Sequence, residues 1–201
     1  GKHLDADGYD LLGVVTGSEG LLGVITEVTV RILRKPSVAR ALLIGFSKVS
    51  HAGDCVAAII GAGIIPGGME MMDKPAVHAT EEFVKAGYPL EVEALLIVEL
   101  DGSEPEVNHL IGAVEKIAKG LGASYLRTSK SDEEREKFWA GRKAAFPAVG
   151  RITPDYYCMD GTIPRGKLPD LLSHMTALSK KYSLNVANVF HAGDGNLHPL
   201  I

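Results

Sequence analysis

Apolar positions along the chain fall into short blocks separated by glycine, proline and charged residues. Residues 9–33 carry the pattern of strand, glycine-rich turn and strand: Leu11-Leu12-Gly13-Val14-Val15 and Val24-Ile25-Thr26-Glu27-Val28-Thr29-Val30 flank a turn at 17–23. An isolated hairpin is marginal in water, so this stretch packs on later parts of the chain or belongs to a larger domain. Lys35-Pro36 closes it, because proline ends strands and disfavours helix in the residue before it. A domain boundary is therefore expected between residues 35 and 36, with a short first domain over 1–35 and a second over 36–201.

Beyond that boundary strand and helix periodicities alternate. Strands are expected at 41–46, 69–72, 93–100, 124–128 and 186–190, with an extended segment at 156–163; helices are expected at 51–62, 74–86, 105–120, 131–145 and 164–182. Ser131-Asp132-Glu133-Glu134 opens one of these helices in the manner of a capping box. No phosphate-binding glycine fingerprint follows the first strand, which weighs against a doubly wound nucleotide fold. The pattern predicts the α+β class: a mostly antiparallel sheet with helices on one face, resembling a ferredoxin-like unit enlarged or duplicated.

Composition narrows the function classes. With 46% hydrophobic and 23% charged residues the chain is of the ordinary globular kind, and a net charge of -4 with scattered Lys and Arg excludes the electrostatic footprint of a nucleic-acid binder. The longest apolar runs fall far short of the roughly 18 residues that cross a bilayer, so no transmembrane segment is expected. Cys55 and Cys158 stand far apart and unpaired in spacing, which fits a reducing compartment. The chain opens at Gly1 without a signal-peptide pattern and reads as a piece of a longer protein, cut at both ends and cytoplasmic.

Three runs carry candidate chemistry. In Thr16-Gly17-Ser18-Glu19-Gly20-Leu21-Leu22-Gly23-Val24-Ile25-Thr26, glycines recur every three residues, and glycine lets backbone N–H groups approach an anionic or planar ligand; a ligand-free connection fits the same spacing. In Phe190-His191-Ala192-Gly193-Asp194-Gly195-Asn196-Leu197-His198, Asp-Gly between apolar segments signals a tight type I′ hairpin. That turn pairs Gly193 with Asn196, Ala192 with Leu197 and His191 with His198. Directly opposed side chains sit with Cβ atoms about 4.5–5.5 Å apart, close enough for two imidazoles to chelate one divalent ion. His3, His51, His78, His109 and His174 read instead as surface or satisfied core residues, and no His-Glu-x-x-His motif points to a metalloprotease. In Phe138-Trp139-Ala140-Gly141-Arg142-Lys143-Ala144-Ala145-Phe146-Pro147, Arg142 offers a planar fork for a carboxylate, or simply a solvated helix charge.

The first run, followed by Val30 and Lys35-Pro36, resembles the second half of the FAD-binding domain in flavoproteins of the vanillyl-alcohol oxidase type. It is most similar to the branch of glycolate oxidase D subunits, D-lactate dehydrogenases and D-2-hydroxyglutarate dehydrogenases. The resemblance implies that residues 1–35 are the remnant of an FAD-binding domain and 36–201 a substrate cap. It implies flavin contacts, largely through backbone, at Gly17, Ser18, Gly20, Gly23 and Ile25. His191 and His198 would bind a divalent metal, zinc or similar, beside the flavin ring, and Arg142 would lie over the substrate carboxylate. The Asp155–Arg165 block matches the family's next segment and lends support without adding site residues.

The same resemblance puts the pyrophosphate-holding glycine loop before Gly1, and a carboxylate ligand and a histidine base beyond Ile201. The chain alone would then bind FAD weakly or not at all, with only two metal ligands. Members acting on hydroxyglutarate carry a lysine near the position of Cys158 and a threonine near that of Phe146; neither is present, which favours a short substrate such as glycolate or D-lactate. The implied partners are that small 2-hydroxy acid and an electron-accepting subunit, quinone or cytochrome, and the expected location is the cytoplasm or the periphery of the membrane's inner face. A metal-dependent hydrolase and a non-catalytic ferredoxin-like interaction module are the competing readings.

Overall fold

A computed structural model describes residues 8–201, so that His3 lies outside the described residues. The chain divides into two units, Gly1–Lys35 and Pro36–Ile201.

In the first unit the expected strand at 11–15 is a short helix, α1 (Leu11–Val15), whose N-cap Asp10 accepts from the Gly13 N–H at 2.9 Å. A capped helical turn satisfies its backbone locally, whereas a strand needs a partner to bond with. Residues 24–30 have the alternation of a strand but no ladder, and Val24, Ile25, Val28 and Val30 are all exposed. Alternation yields a strand only where a neighbouring chain segment completes the hydrogen bonds. The glycine turn does use the freedom expected of it: Gly17 and Gly20 adopt φ of +78° and +80°.

The second unit is built on a seven-stranded sheet among the described residues. Its strands are β1 (Val38–Phe46), β2 (Gly68–Asp73), β3 (Ala94–Gly102), β4 (Ala123–Thr128), β5 (Gly161–Thr162), β6 (Ala187–His191) and β7 (Asn196–Leu200), in the spatial order β4-β1-β3-β2-β6-β7-β5. Every pairing is antiparallel. The first four strands form the split βαβ arrangement of a ferredoxin-like unit, with α2 (Val49–Gly61) and α4 (Glu104–Gly120) as its crossovers. Inserted around it are α3 (Lys74–Val84), α5 (Asp132–Lys143), α6 (Ala145–Val149) and α7 (Leu168–Tyr182), and the β6–β7 hairpin extends the sheet beyond β2. Ser131 caps α5 as expected, its hydroxyl accepting from the Glu134 N–H at 3.2 Å.

The antiparallel α+β class agrees with the sequence pattern, but helices cover both faces of the sheet, not one. Leu42, Ile44, Phe46, Leu96 and Val98 pack in a core with α2, α4 and α7, while Ala41, Leu43, Leu95 and Ile97 pack in a second core with α3, α5 and α6. The unbroken apolar runs of β1 and β3 are the sequence signature of strands buried on both sides.

One buried polar pair ties β2 to β6. Asp73, 6% exposed, caps α3 by accepting from the Ala76 N–H and also accepts from Asn188 Nδ2 at 2.6 Å. Burial pushes its carboxyl up to about 6 against the lowering effect of these bonds. A carboxyl raised on folding stabilises the fold fully below its unfolded value and loses that contribution as pH climbs through the folded one. Between about pH 4 and 6 stability should therefore fall by on the order of 2–3 kcal/mol. Asp73→Asn keeps a capping oxygen and removes the charge, so urea unfolding should show its advantage over the parent growing from pH 4 to 7; equal pH slopes would refute the assignment.

Candidate functional site

The site lies on the face of the sheet that carries α3, α5 and α6. On β2, Met69 and Met71 enter the opposite core, which by strand alternation turns Glu70 toward α5. The pairing of Met71 with Phe190 and Met72 with Val189, continued one step, sets Glu70 opposite His191 at the end of β6. Glu70 Oε1 lies 2.8 Å from His191 Nδ1.

Two glycines seat α5, Gly68 against this strand pair and Gly141 against the segment between α3 and β3. A Cβ at Gly68 would come within 2.9 Å of the Trp139 ring, and one at Gly141 within 2.2 Å of the Tyr88 hydroxyl, so each admits an aromatic group at close range. Tyr88 donates its hydroxyl to Phe138 O, and Trp139 donates its indole N–H to Glu99. Burial of the Tyr88 phenol raises its pKa. Held in this way, the last turn of α5 brings Arg142 onto Glu70: Nε donates to Oε2 at 3.0 Å, and Nη2 lies 2.9 Å from the same oxygen but makes no hydrogen bond of acceptable angle. The Arg142 side chain is 8% exposed, so it is a buried, paired group and not a solvated helix charge.

The hairpin differs from its expected register. His191 pairs with Asn196, Phe190 with Leu197 and Val189 with His198, leaving a four-residue loop from Ala192 to Gly195. His191 O accepts from both the Asp194 and Gly195 N–H groups, and within the turn only Gly195 has positive φ, +76°. A type I′ turn would require positive φ at Asp194 as well, which this residue avoids. The displacement is two residues, which returns every side chain to the same face, so His191 and His198 remain neighbours as diagonal rather than direct partners. Their ring centroids lie 5.2 Å apart, nearly perpendicular, and Phe146 packs edge-on against His198 at 5.9 Å.

Two carboxylates not singled out in the sequence border this pair. Glu70 is one; its signal is a lone charge inside the apolar strand Gly68-Met69-Glu70-Met71-Met72, where a charge needs a partner. The other is Asp160, which accepts from Asn196 Nδ2 at 2.8 Å and lies 4.0 Å from His198 Nδ1. The flavin candidates Gly17, Ser18, Gly20, Gly23 and Ile25 belong to the first unit, where nothing stands within 4 Å of a Cβ placed on Gly17, Gly20 or Gly23.

Residues 35–201 match the family described as FAD linked oxidases, C-terminal domain. The chain belongs to this family. Glycolate oxidase subunit GlcD of Escherichia coli K12 is 58% identical over 198 residues, 98% of this chain and 40% of that protein. A D-lactate dehydrogenase of Anaerostipes hadrus is 30% identical over 96% of this chain and 42% of its own length. The fold is shared with solved alkyldihydroxyacetonephosphate synthase at a TM-score of 0.64, 17% identity, 98% of this chain and 42% of that one. The chain thus spans about 40% of the length of the curated relatives it matches.

The positive φ of Gly17 and Gly20, with no side chain over their backbone among the described residues, is a geometry compatible with a planar or anionic ligand. Among the described residues no group of three or more His, Cys, Asp or Glu side chains is arranged to hold a metal ion, and no helix is long and apolar enough to cross a membrane. The donor chemistry nevertheless fits half of a metal site: two imidazoles on one face, one of them with Nδ1 engaged by a carboxylate so that Nε2 is left to coordinate.

Proposed function

We propose that this chain is the substrate-facing part of an FAD-dependent oxidoreductase that converts a small 2-hydroxy acid, glycolate or D-lactate, to its 2-oxo acid. The observation that carries this reading is the convergence of Arg142, His191 and His198 on one sheet face, with Glu70 between the first two. Such an arrangement offers a cationic fork for a carboxylate beside a pair of imidazoles for an ion, which is the polarity of a 2-hydroxy acid.

In this reading Arg142 holds the substrate carboxylate, His191 and His198 hold a divalent ion such as zinc, and Gly17, Ser18, Gly20, Gly23 and Ile25 seat the flavin. FAD supplies the two-electron acceptor for the C2 hydride, and the ion supplies a Lewis acid that acidifies the 2-hydroxyl. Phe146 packs edge-on against the His198 ring and helps to orient it. Cys158 and Phe146 differ from the lysine and threonine that the family resemblance associates with hydroxyglutarate, which supports a short substrate. An electron-accepting subunit or quinone completes the cycle, in the cytoplasm or at the inner face of the membrane; the GlcD relative is itself named a subunit.

The test is turnover by the full-length protein with an artificial electron acceptor. Oxidation of glycolate or D-lactate in clear preference to D-2-hydroxyglutarate is expected. Indifference to all three acids would dismiss the proposal.

A further inference from the structure

The geometry points to Glu70 as a positioning residue that holds the carboxylate anchor and the metal-facing histidine in one clasp, and thereby sets the span a substrate must bridge. This rests on the function proposed above, and adds to it a residue whose role is to orient two others.

Glu70 uses its two oxygens on different partners. Oε2 takes the Nε edge of Arg142 at 3.0 Å, and Oε1 takes His191 Nδ1 at 2.8 Å. Its side chain is 13% exposed and that of Arg142 8%, so their contact is poorly screened and strong for its kind, whereas the His191 side chain is 44% exposed. A carboxylate accepts and does not donate, so the ring nitrogen facing it carries a proton, and in the neutral ring Nε2 then presents its lone pair. At Arg142, filling the Nε edge leaves Nη1 for a second carboxylate, while Nη2 is buried against Glu70 without a hydrogen-bond partner among the described residues. That second carboxylate is the substrate's.

The backbone makes the clasp stiff. Glu70 and His191 face each other across the β2–β6 ladder, and the Asp73–Asn188 bond three residues along locks the same strand pair. Arg142 is fixed by the seating of α5 through Gly68 and Gly141. One carboxylate of constant width therefore separates the anchor from the ion-facing ring, a short distance suited to a carboxylate and a hydroxyl on adjacent carbons. Of the two imidazoles Asp160 approaches only His198, at 4.0 Å, its hydrogen bond being from Asn196, and among the described residues it has no link to Arg142.

Glu70→Gln keeps the shape but has one acceptor oxygen for two donors. In the full-length protein it should weaken zinc binding, measured by calorimetry, about 10–100-fold, the range for loss of such an orienting partner. It should also raise KM for the hydroxy acid at least tenfold, at an unchanged circular-dichroism spectrum. Asp160→Asn, the comparison variant, should alter zinc binding alone. Nitrogen NMR of the metal-free parent gives a second readout independent of any variant's folding: His191 should carry its proton on Nδ1. An Nε2-protonated His191, or a Glu70→Gln protein with the parent's zinc affinity and KM, would overturn the inference while leaving the proposed function standing. A parent protein with neither zinc binding nor turnover would bring down both.

Discussion

Arg142→Met in the full-length protein is expected to lower kcat/KM for its hydroxy acid by about 10²–10⁴, the kinetic equivalent of two charge-assisted hydrogen bonds worth roughly 1.5–3 kcal/mol each. It should also destabilise the fold. Removing the guanidinium leaves the Glu70 carboxylate, 13% exposed, with His191 alone, and breaking a buried pair from one side costs about 3–5 kcal/mol. For a unit of this size that corresponds to a drop in Tm of roughly 10 °C. The two effects are separable, because replacing both members of a buried pair with apolar groups is often close to neutral. Arg142→Met combined with Glu70→Leu should therefore recover most of the lost Tm and none of the activity. Recovery of both together would mean that the arginine serves only the fold.

The second large effect is on metal. His191→Ala and His198→Ala should each cut bound zinc well below one equivalent, measured by elemental analysis of the purified full-length protein, and the double variant should hold none at the site. Zinc needs three or four ligands for tight binding, so a site losing one or two of them cannot compensate. The fold should be little affected, since His191 is 44% exposed beside the hairpin turn and His198, 17% exposed, makes no hydrogen bond to the rest of the sheet through its ring among the described residues. His109→Ala, on the exposed side of α4, should leave zinc content as it was. Unaltered zinc in the His191 and His198 variants would place the ion elsewhere.

The parts of this architecture that are legible in the sequence are those in which one short stretch determines its own structure. The 105–120 helix, the Ser131 cap and the apolar strands around Leu42 and Leu96 are of this kind. Those same strands also carry the signal for the second helical layer: Ala41-Leu42-Leu43-Ile44 and Ala94-Leu95-Leu96-Ile97-Val98 have no polar face, which requires helices on both sides and not the single layer expected. The histidine pair is legible for a reason of parity. The observed register is two residues from the expected one, but an even displacement preserves the face, so His191 and His198 still meet. Residues 11–15 and 24–30 depart from the expected strands because alternation describes a surface, not a partner.

Glu70 is not legible at all. Its importance comes from α5, whose Arg142 is 72 residues away in the chain, and from His191, 121 residues away. Nothing local to Met69-Glu70-Met71 announces either contact beyond the cost of leaving a charge unpaired in an apolar strand. Asp160 stays hidden in the same way, since its neighbours Asn196 and His198 arrive only when β7 folds against the Gly161–Thr162 strand.

In the reading proposed above, Arg142 and the His191–His198 pair hold the carboxylate and the 2-hydroxyl of one hydroxy acid. The most direct test of that reading is anaerobic rapid mixing of the flavin-loaded full-length protein with glycolate or D-lactate, following the loss of oxidised-flavin absorbance in a single turnover. Rapid bleaching by the parent, slowed at least a hundredfold in Arg142→Met and in the double histidine variant, is the result expected from the roughly 3 kcal/mol or more at stake in each contact set. Bleaching at the same rate in all three proteins would contradict it.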